Sequence, residues 1–383
     1  MNRSDYNNLL AWNSELLKHY IVNDVILGIY LLFGISGNAL VVILYTFRMK
    51  KKKDDRYFIP FLAVVDLCAC VFRSSLELAM NLNPVNFQGS ALCKFVWFPT
   101  NVSAIASIFL LLVIALQRYL KVCRPFGSQM TLLGKRVALV ACIVVSISVS
   151  TPLLVYNDEI KVINPETNVT GYVCDTDVKS HYGHGFLVYI IFASASSIAL
   201  MVALTILNIG IGRTICKQLK AKNDRKYNKN VVRFKVNSCV NTTLINTAPD
   251  ISDCVSETET GFHGFQATMG TTTSVETFNQ MQSQGSIDSD HRKREKMSFS
   301  HRYSFMFMAI GVAFVISYSP RLILLFITLN DPKFFGKISQ TQLTILSFIR
   351  EMNVVNNVVN PFIYGFFDHA FRKETKKLLC HGK

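Results

Sequence analysis

The chain has 383 residues, of which 50% are hydrophobic and only 17% charged. A soluble domain carries about 25% charged residues, so this composition excludes an ordinary soluble protein and predicts a membrane protein. The formal net charge of +15 lies mainly in segments between the apolar runs. That placement is typical of cytoplasmic loops rather than of a nucleic-acid-binding face.

Seven apolar runs follow one another along the chain, and crossing the hydrocarbon core of a bilayer takes about 20 helical residues. The runs are Val22–Phe47, Tyr57–Met80, Val96–Leu116, Val137–Tyr156, Phe186–Ile211, Tyr303–Leu329 and Thr341–Phe366. The basic cluster Lys50–Lys53 follows the first run and marks the cytoplasmic side, so residues 1–21 are predicted as an extracellular N-terminal tail. The predicted fold class is an all-α membrane protein, a seven-transmembrane helix bundle with spans one to five in 22–212 and spans six and seven in 303–366.

Two further segments are predicted on the cytoplasmic side. Residues 213–302 are rich in Ser, Thr, Asn and Gln and lack sustained periodicity, so we expect a long, largely disordered third intracellular loop. Residues 367–383 place Phe371 and Leu378 near one helical face and basic side chains on others, which predicts a short amphipathic helix and a cytoplasmic tail. Cys380 in this segment is either a palmitoylated thiol or an inert one.

Several side chains are too polar for a lipid-facing position. Asp66, Arg73 and Glu77 recur at helical spacing on one face of the second run. Charged groups inside spans are costly unless they face a cavity or a partner, so we expect this face to lie inside the bundle. The alternative is that Arg73 and Glu77 merely pair near the outer end of the span. In the sixth and seventh runs, Pro320 and Pro361 predict kinks.

Six short motifs lie in order between residues 22 and 375. They are Gly37-Asn38; Leu62 and Asp66; Cys93 with Arg118-Tyr119; Phe314 and Pro320; Asn360-Pro361-Phe362-Ile363-Tyr364; and Phe371-Arg372. Together they resemble the motifs of the rhodopsin-like (class A) G-protein-coupled receptors. Seven spans without visible repeat symmetry also favour a receptor over a transporter or channel, which remains the alternative class.

The resemblance is incomplete at two positions that matter for signalling. Gln117 stands where the family usually has Asp or Glu before the arginine, so Arg118 lacks its ordinary adjacent carboxylate. A missing ion pair would destabilise the resting state, so we expect raised basal activity, and a constitutively active or ligandless receptor is the alternative within the class. Tyr318 stands where the family usually has a tryptophan.

The resemblance implies roles for further residues. Cys93 and Cys174 would form a disulfide. Asp66, Ser107, Asn356, Asn357 and Asn360 match the positions that hold an allosteric sodium ion in many relatives, although the same set can hold ordered water. The activation switch and G-protein contact would comprise Arg118, Tyr119, Phe314, Tyr318, Pro320, Asn360, Pro361 and Tyr364. The implied partners are a heterotrimeric G protein, an extracellular ligand, arrestin and receptor kinases.

The class of ligand is constrained by the outer half of the bundle. Thr100 occupies the position where amine receptors carry aspartate, and the seventh span has no lysine for a retinal Schiff base. Charges of both signs are placed near the outer ends of the spans and suit a peptide, so we expect a neuropeptide-type ligand. These candidate pocket residues, with Thr100, are Arg73, Glu77, Arg321, Arg350 and Glu351. Arg350 and Glu351 are adjacent and point about 100° apart, so at most one faces the pocket squarely.

The last predictions from the sequence concern glycosylation, catalysis and location in the cell. Asn2 and Asn168 begin Asn-x-Ser/Thr patterns and are candidate glycosylation sites. Asp66 has no histidine at ligand spacing, so we expect no enzymatic activity and no cofactor other than the candidate sodium ion. We expect a multi-pass protein of the plasma membrane with its N-terminus outside and its C-terminus in the cytoplasm.

Overall fold

A computed structural model describes residues 2–49, 54–176, 183–245, 275–330, 334 and 339–380. The helices are Arg3–Ile43, Ile59–Leu82, Ser90–Cys123, Leu132–Ser150, Leu153–Tyr156, Gly183–Ile245, Val275–Asn330, Gln340–Glu351, Asn353–Phe367 and His369–Cys380. A π-helical turn, Leu44–Arg48, ends the first helix, and a single 3₁₀ turn, Asp54–Arg56, precedes the second.

The helices confirm the predicted bundle. Six of them are long and apolar enough to cross a membrane within the described residues. The seventh span is divided at Met352 into Gln340–Glu351 and Asn353–Phe367, so neither half reaches that length alone. The chain therefore forms a seven-helix membrane bundle. Helices are suited to this environment because each satisfies its backbone hydrogen bonds internally.

The first helix begins at Arg3, where the sequence suggested a polar tail up to residue 21. The added helical turns place Leu9, Trp12 and Leu16 on one face, where they pack against Val85 and Val169. Asn13 fixes the same segment, since its Nδ2 donates to the carbonyl oxygen of Leu82. The expectation of a simple tail overlooked this narrow apolar stripe, whose spacing is that of an amphipathic helix.

The described chain after the fourth span forms a β-hairpin. The fourth span ends at Ser150, shortly before Pro152, and β1 (Asn157–Ile163) pairs antiparallel with β2 (Thr170–Thr176). Asn157 lies opposite Thr176 in this register, and Ile163 lies opposite Thr170. The hairpin contacts the third span through an ion pair of 2.8 Å between Lys94 and Asp158.

The chain divides into two compact units, one of residues Met1–Gly212 with Arg302–Lys383, and one of residues Arg213–His301. This second unit corresponds closely to the predicted loop of 213–302, but it differs from the expected disorder. The helix of the fifth span continues to Ile245, and the helix of the sixth begins at Val275. Lys, Gln and Leu after residue 213 are good helix formers, so the composition of this stretch does not end the helix. Residues 246–274 lie outside the described part.

The first, second and seventh spans approach closely where the first helix carries a glycine. A Cβ atom placed on Gly34 would lie 2.5 Å from Cys70 Sγ and 3.4 Å from Val358. One turn further along, Asn38 Nδ2 donates to the carbonyl oxygen of Asn357 at 2.8 Å. This close contact positions the polar side chains of the second and seventh spans towards each other.

Candidate functional site: a polar interior and a buried arginine

The middle of the bundle holds a buried carboxylate, that of Asp66 on the second span. Ser107 Oγ from the third span donates to Asp66 Oδ1 at 3.0 Å. Asn360 Nδ2 from the seventh span donates to Asp66 Oδ2 at 2.7 Å. All three side chains are buried, and for Asp66 the sequence predicted a position inside the bundle. The contacts join three spans through one charge that receives only neutral donors in these bonds.

The neighbouring amides leave oxygen atoms available inside the bundle. Among the described residues, Asn356 Oδ1, Asn360 Oδ1 and the Tyr364 hydroxyl are buried and accept or donate no hydrogen bond. One carboxylate with neutral oxygen atoms is a donor set that suits a hard monovalent or divalent cation. Asn357 is held differently: its Oδ1 lies 3.5 Å from Asn356 Nδ2. The chemistry of Asp66, Ser107, Asn356 and Asn360 is compatible with a cation, and Asn357 is the neighbour of Asn356.

Arg118 lies at the end of the third span remote from Cys93, and its side chain is 1% exposed. Its Nη1 is 2.7 Å from Asp55 Oδ1, and its Nη2 donates to the carbonyl oxygen of Asp55. Lys121 Nζ lies 3.1 Å from the same Oδ1 atom. Arg118 has no adjacent carboxylate, since Gln117 precedes it, but the turn between the first two spans supplies an acidic partner.

The environment of Asp55 has opposing effects on its ionisation. Burial by itself would raise the pKa of this carboxyl, but the charges and hydrogen bonds of Arg118 and Lys121 outweigh burial and lower the pKa below its ordinary value. Asp55 is therefore ionised at neutral pH and neutralises part of the basic charge at this end of the bundle.

The sixth span reaches the same region. The Phe307 ring lies 4.9 Å from the Arg118 guanidinium carbon, which is cation–π distance. Further along the helix, Phe314 and Tyr318 are stacked with their ring centroids 5.3 Å apart. Pro320 lies inside the helix just beyond them. Phe307, Phe314 and Tyr318 recur at helical spacing and share one face of this helix, with Phe314 buried.

Asp368 joins the end of the seventh span to the first span. Tyr45 Oη donates to Asp368 Oδ2 at 2.7 Å, and the main-chain N–H of Ala370 donates to Asp368 Oδ1 at 2.9 Å. Asp368 thus caps the helix His369–Cys380. Tyr364 is fully buried, with its ring 6.1 Å from Tyr45 and 6.4 Å from Phe371.

Arg56, next to Asp55, extends this network. Its Nη2 is 2.9 Å from Asp368 Oδ1, and its Nε donates to the Tyr303 hydroxyl at 2.7 Å. Tyr303 begins the part of the sixth helix that the sequence predicted as membrane-spanning. Asp55, Arg56, Tyr303 and Asp368 were not among the site residues predicted from the sequence. The signal available was the acidic pair Asp54-Asp55 directly after a run of lysines.

The opposite end of the bundle contains the predicted disulfide. Cys93 and Cys174 are bonded, with their Cα atoms 5.7 Å apart, which confirms the predicted pair. The bond fixes β2 of the hairpin to the start of the third span. Asn168 is exposed in the turn between the two strands, with a φ of 55° that asparagine tolerates well.

Charged side chains between these two ends are buried on the second and seventh spans. Arg73 Nη2 is 2.8 Å from Glu77 Oε1, and both side chains are almost inaccessible. The two residues pair, as the simpler alternative proposed, but inside the bundle rather than at its surface. Glu351 is 2% exposed, and Thr100 is buried with its hydroxyl bonded to the carbonyl oxygen of Val96.

The remaining predicted residues have simple placements. Tyr119 is half-buried and contacts Gly210 of the fifth span. Arg321 is half-buried, Asn2 and Cys380 are exposed, and the side chain of Arg350 lies outside the described part.

Comparison with known proteins assigns the fold to a family. The profile of the "7 transmembrane receptor (rhodopsin family)" matches residues 37–364, and the chain belongs to this family. The human cholecystokinin receptor type A is 24% identical over 361 residues, which cover 92% of this chain and 78% of that receptor.

Two other relatives match shorter stretches. The rabbit (Oryctolagus cuniculus) cholecystokinin receptor type A is 27% identical over 226 residues, which cover 56% of this chain and 52% of that receptor. The Drosophila melanogaster trissin receptor is 29% identical over 143 residues, which cover 37% of this chain and 21% of that receptor. The aligned part of this chain thus spans about half the length of the rabbit relative.

Proposed function

We propose that the chain is a receptor of the plasma membrane that converts binding of an extracellular peptide into activation of a heterotrimeric G protein. The observation that carries this proposal is the family match over residues 37–364, together with similarity to cholecystokinin, trissin and angiotensin receptors. These relatives are receptors for peptides.

The proposed orientation places the disulfide end outside and the Arg118 end in the cytoplasm. A disulfide requires an oxidising compartment, which supports an outer position for Cys93 and Cys174. In the sequence, Lys50–Lys53 follow the first span and a basic segment begins at Arg213 after the fifth span, in agreement with the positive-inside bias. In this orientation, Asn2 and Asn168 are exposed on the side where glycosylation takes place.

In the proposed mechanism, the ligand binds between the outer halves of the spans and stabilises a second arrangement of the bundle. It can do so only by binding that arrangement more tightly than the resting one. The sixth span bends about Pro320, its cytoplasmic end moves away from Arg118, and the space that opens accepts a segment of the G protein. Tyr119, Asn360, Pro361 and Tyr364 take part in this rearrangement.

The buried charges of the outer half support a peptide with a charged side chain or terminus. Arg73, Glu77 and Glu351 are all buried within spans, which is costly unless they serve a polar ligand or one another. Thr100 lies on the third span, with Arg321 and Arg350 on the sixth and seventh, and we propose that these residues complete the pocket.

The test of the receptor proposal is a G-protein activation assay in cells that express the chain, before and after addition of a panel of neuropeptides. A response to one peptide that is absent from an Arg118→Ala variant of equal surface expression would support both the class and the ligand. If no peptide in the panel changes GTP exchange, the proposed ligand class fails, and if every Gα subtype also remains silent, G-protein coupling fails with it.

We also propose that Asp66, Ser107, Asn356 and Asn360 hold a sodium ion, next to Asn357. When bound, the ion supplies a positive charge that stabilises the Asp66 carboxylate and the resting arrangement of the three spans. Replacing NaCl with KCl should raise agonist affinity in the wild-type protein and leave it unchanged in Asp66→Asn. Equal affinities in both salts for the wild-type protein would contradict the sodium site.

Regulation of the active receptor is proposed at the cytoplasmic end. Receptor kinases would phosphorylate the Ser- and Thr-rich segment between the fifth and sixth spans, and arrestin would bind the product. Cys380 is exposed at the end of the helix His369–Cys380, where a palmitoyl chain would reach the inner leaflet. An inert thiol at this position is the alternative, and metabolic labelling with a palmitate analogue distinguishes the two.

A further inference from the structure

Arg118 is bound by a residue from a different element rather than by its own neighbour in sequence. The guanidinium contacts both the carboxylate and the main-chain carbonyl oxygen of Asp55, so it is attached at two points. Gln117, the preceding residue, carries no charge. An adjacent carboxylate would hold Arg118 within the third helix, whereas Asp55 ties the third helix to the turn Asp54–Arg56.

The next residue of the same turn binds the sixth helix. Arg56 Nε donates to the Tyr303 hydroxyl at 2.7 Å, and its guanidinium carbon lies 5.1 Å from the centre of the Tyr303 ring. Nη2 of this guanidinium contacts Tyr303 as well and lies 2.9 Å from Asp368 Oδ1. Asp55 and Arg56 together therefore contact the third helix, the sixth helix and the start of the last helix.

Movement of the sixth helix away from the third cannot leave these contacts intact. Tyr303 would leave Arg56, and Phe307 would leave the face of Arg118. A protein segment that binds Arg118 through the same Nη atoms would compete with the Asp55 carboxylate and carbonyl oxygen.

We propose that Asp55 and Arg56 form a loop lock, a pair of neighbouring residues that holds the receptor in its resting arrangement. Asp55 supplies Arg118 with the carboxylate that an Asp or Glu at position 117 would otherwise supply. This inference rests on the proposed function, since it concerns regulation of the same G-protein contact. It replaces the expectation of raised basal activity. The wild-type receptor has low basal activity because the turn Asp54–Arg56 supplies the acidic partner of Arg118.

The test compares basal GTP exchange per receptor at the cell surface in five forms of the full chain. They are the wild type and the variants Asp55→Asn, Asp54→Asn, Arg56→Gln and Asp55→Asn with Gln117→Asp. Asp55→Asn should raise the basal rate about two- to fivefold, which is the effect of losing one ion pair of modest strength. Asp54→Asn removes the same charge one position earlier and should change the rate much less.

The remaining variants separate the loop lock from a general effect of charge. Gln117→Asp in the Asp55→Asn background gives Arg118 an adjacent carboxylate and should return the basal rate towards that of the wild type. Arg56→Gln keeps Asp55 and should also raise the rate, because the contact between Arg56 and Tyr303 is weakened. This variant keeps the test decisive if Asp55→Asn does not reach the surface.

Two results would overturn the loop lock. One is an unchanged basal rate in both Asp55→Asn and Arg56→Gln with normal peptide responses, and the other is an equal rise in Asp54→Asn. Hydrogen exchange of residues 54–62 in the purified receptor distinguishes these results from failure of the proposed function. Faster hydrogen exchange in Asp55→Asn would show that the contact between Asp55 and Arg118 exists. If, in addition, no form of the protein promotes GTP exchange with any Gα subtype, the receptor proposal fails and the regulatory role of the contact fails with it.

Discussion

Single buried charges in this protein are stabilised in two different ways. Arg118 has a carboxylate partner, Asp55, whose side chain is 20% exposed, so removing that partner costs less than it would in a fully buried ion pair. Asp66 instead receives hydrogen bonds from the neutral groups of Ser107 and Asn360. A carboxylate with neutral donors can still gain a cation, whereas Arg118 already has an anionic partner.

The depressed pKa of Asp55 leads to a prediction about pH. A carboxyl whose pKa is lower in the folded protein contributes its stabilisation above its ordinary pKa of about 4, and that stabilisation is lost only as the pH falls through the lower value. The groups that face Asp55 are the permanently charged Arg118 and the lysine Lys121. Basal GTP exchange in membrane preparations should therefore stay constant between about pH 6 and pH 8.

Loss of the loop lock at the acid end of that range would contradict this prediction. The G protein itself is the necessary control, so its spontaneous GTP exchange is measured at each pH in membranes without the receptor. A rise in receptor-dependent exchange on acidification would mean that Asp55 becomes protonated near neutral pH.

At the scale of elements, the first helix is longer than its membrane-spanning part because its outer turns have a small core of their own. Leu9 is 3% exposed in this cluster, whereas Leu10, the next residue, is 40% exposed. Leu9→Ala should lower the free energy of local opening of residues 3–20 by about 2 kcal/mol, as for other buried leucines. Leu10→Ala should change it by less than about 0.5 kcal/mol.

Hydrogen exchange of residues 3–20 in the purified receptor measures both variants. Equal exchange in the two would mean that these turns do not pack on the outer loops. The difference in hydrogen exchange between the two variants also measures how strongly the first turns of this helix pack against Val85 and Val169.

The close contact between the first and second helices gives a second prediction at this scale. A methyl group on Gly34 would meet Cys70 Sγ at 2.5 Å, whereas one on Gly28 of the same helix would meet no heavy atom within 4 Å. Gly34→Ala should therefore destabilise the bundle by about 1–3 kcal/mol through overpacking. Gly28→Ala should leave the thermal denaturation midpoint of the purified receptor unchanged or slightly higher.

Removing the opposing atom tests the cause. In a Gly34→Ala protein, the further change Cys70→Ala removes Sγ and should recover part of the lost stability. If the double variant is as unstable as the sum of the two single changes, the steric explanation is wrong.

At the scale of the whole molecule, the two ends of the bundle are held by different chemistry. A covalent bond, Cys93–Cys174, fixes the hairpin at one end, and ion pairs and hydrogen bonds of Asp55 and Arg56 hold the other. Covalent constraint suits a rigid site for a ligand. Non-covalent contacts can be broken and reformed, which suits an end that changes its arrangement.

This difference predicts that Cys93→Ala affects the two activities unequally. The change should lower stability by about 2–4 kcal/mol and reduce surface expression and the response to an activating peptide. Basal GTP exchange per surface receptor should remain that of the wild type, because the loop lock is intact. Cys68→Ala, which removes a free thiol from the second span, should preserve both activities. A basal rate that changes in step with the peptide response would show that the two ends are not independent.

The sequence by itself determined the seven spans, the internal face of the second span and the disulfide pairing implied by the family motifs. These features follow from local chemistry, because a bilayer requires long apolar helices and makes each buried charge conspicuous. Asp66, Arg73 and Glu77 could be placed inside the bundle from their spacing alone, and all three are buried.

Only the tertiary structure decided which residue neutralises Arg118. Asp55 and Arg118 are separated by 63 positions, and nothing in the spacing of either segment specifies that they meet. The same holds for the β-hairpin and for the outer turns of the first helix, whose stability depends on Val85 and Val169 from other parts of the chain. Contacts between distant segments depend on how the helices pack, and a charge that is unpaired in its own helix can find its partner in another element.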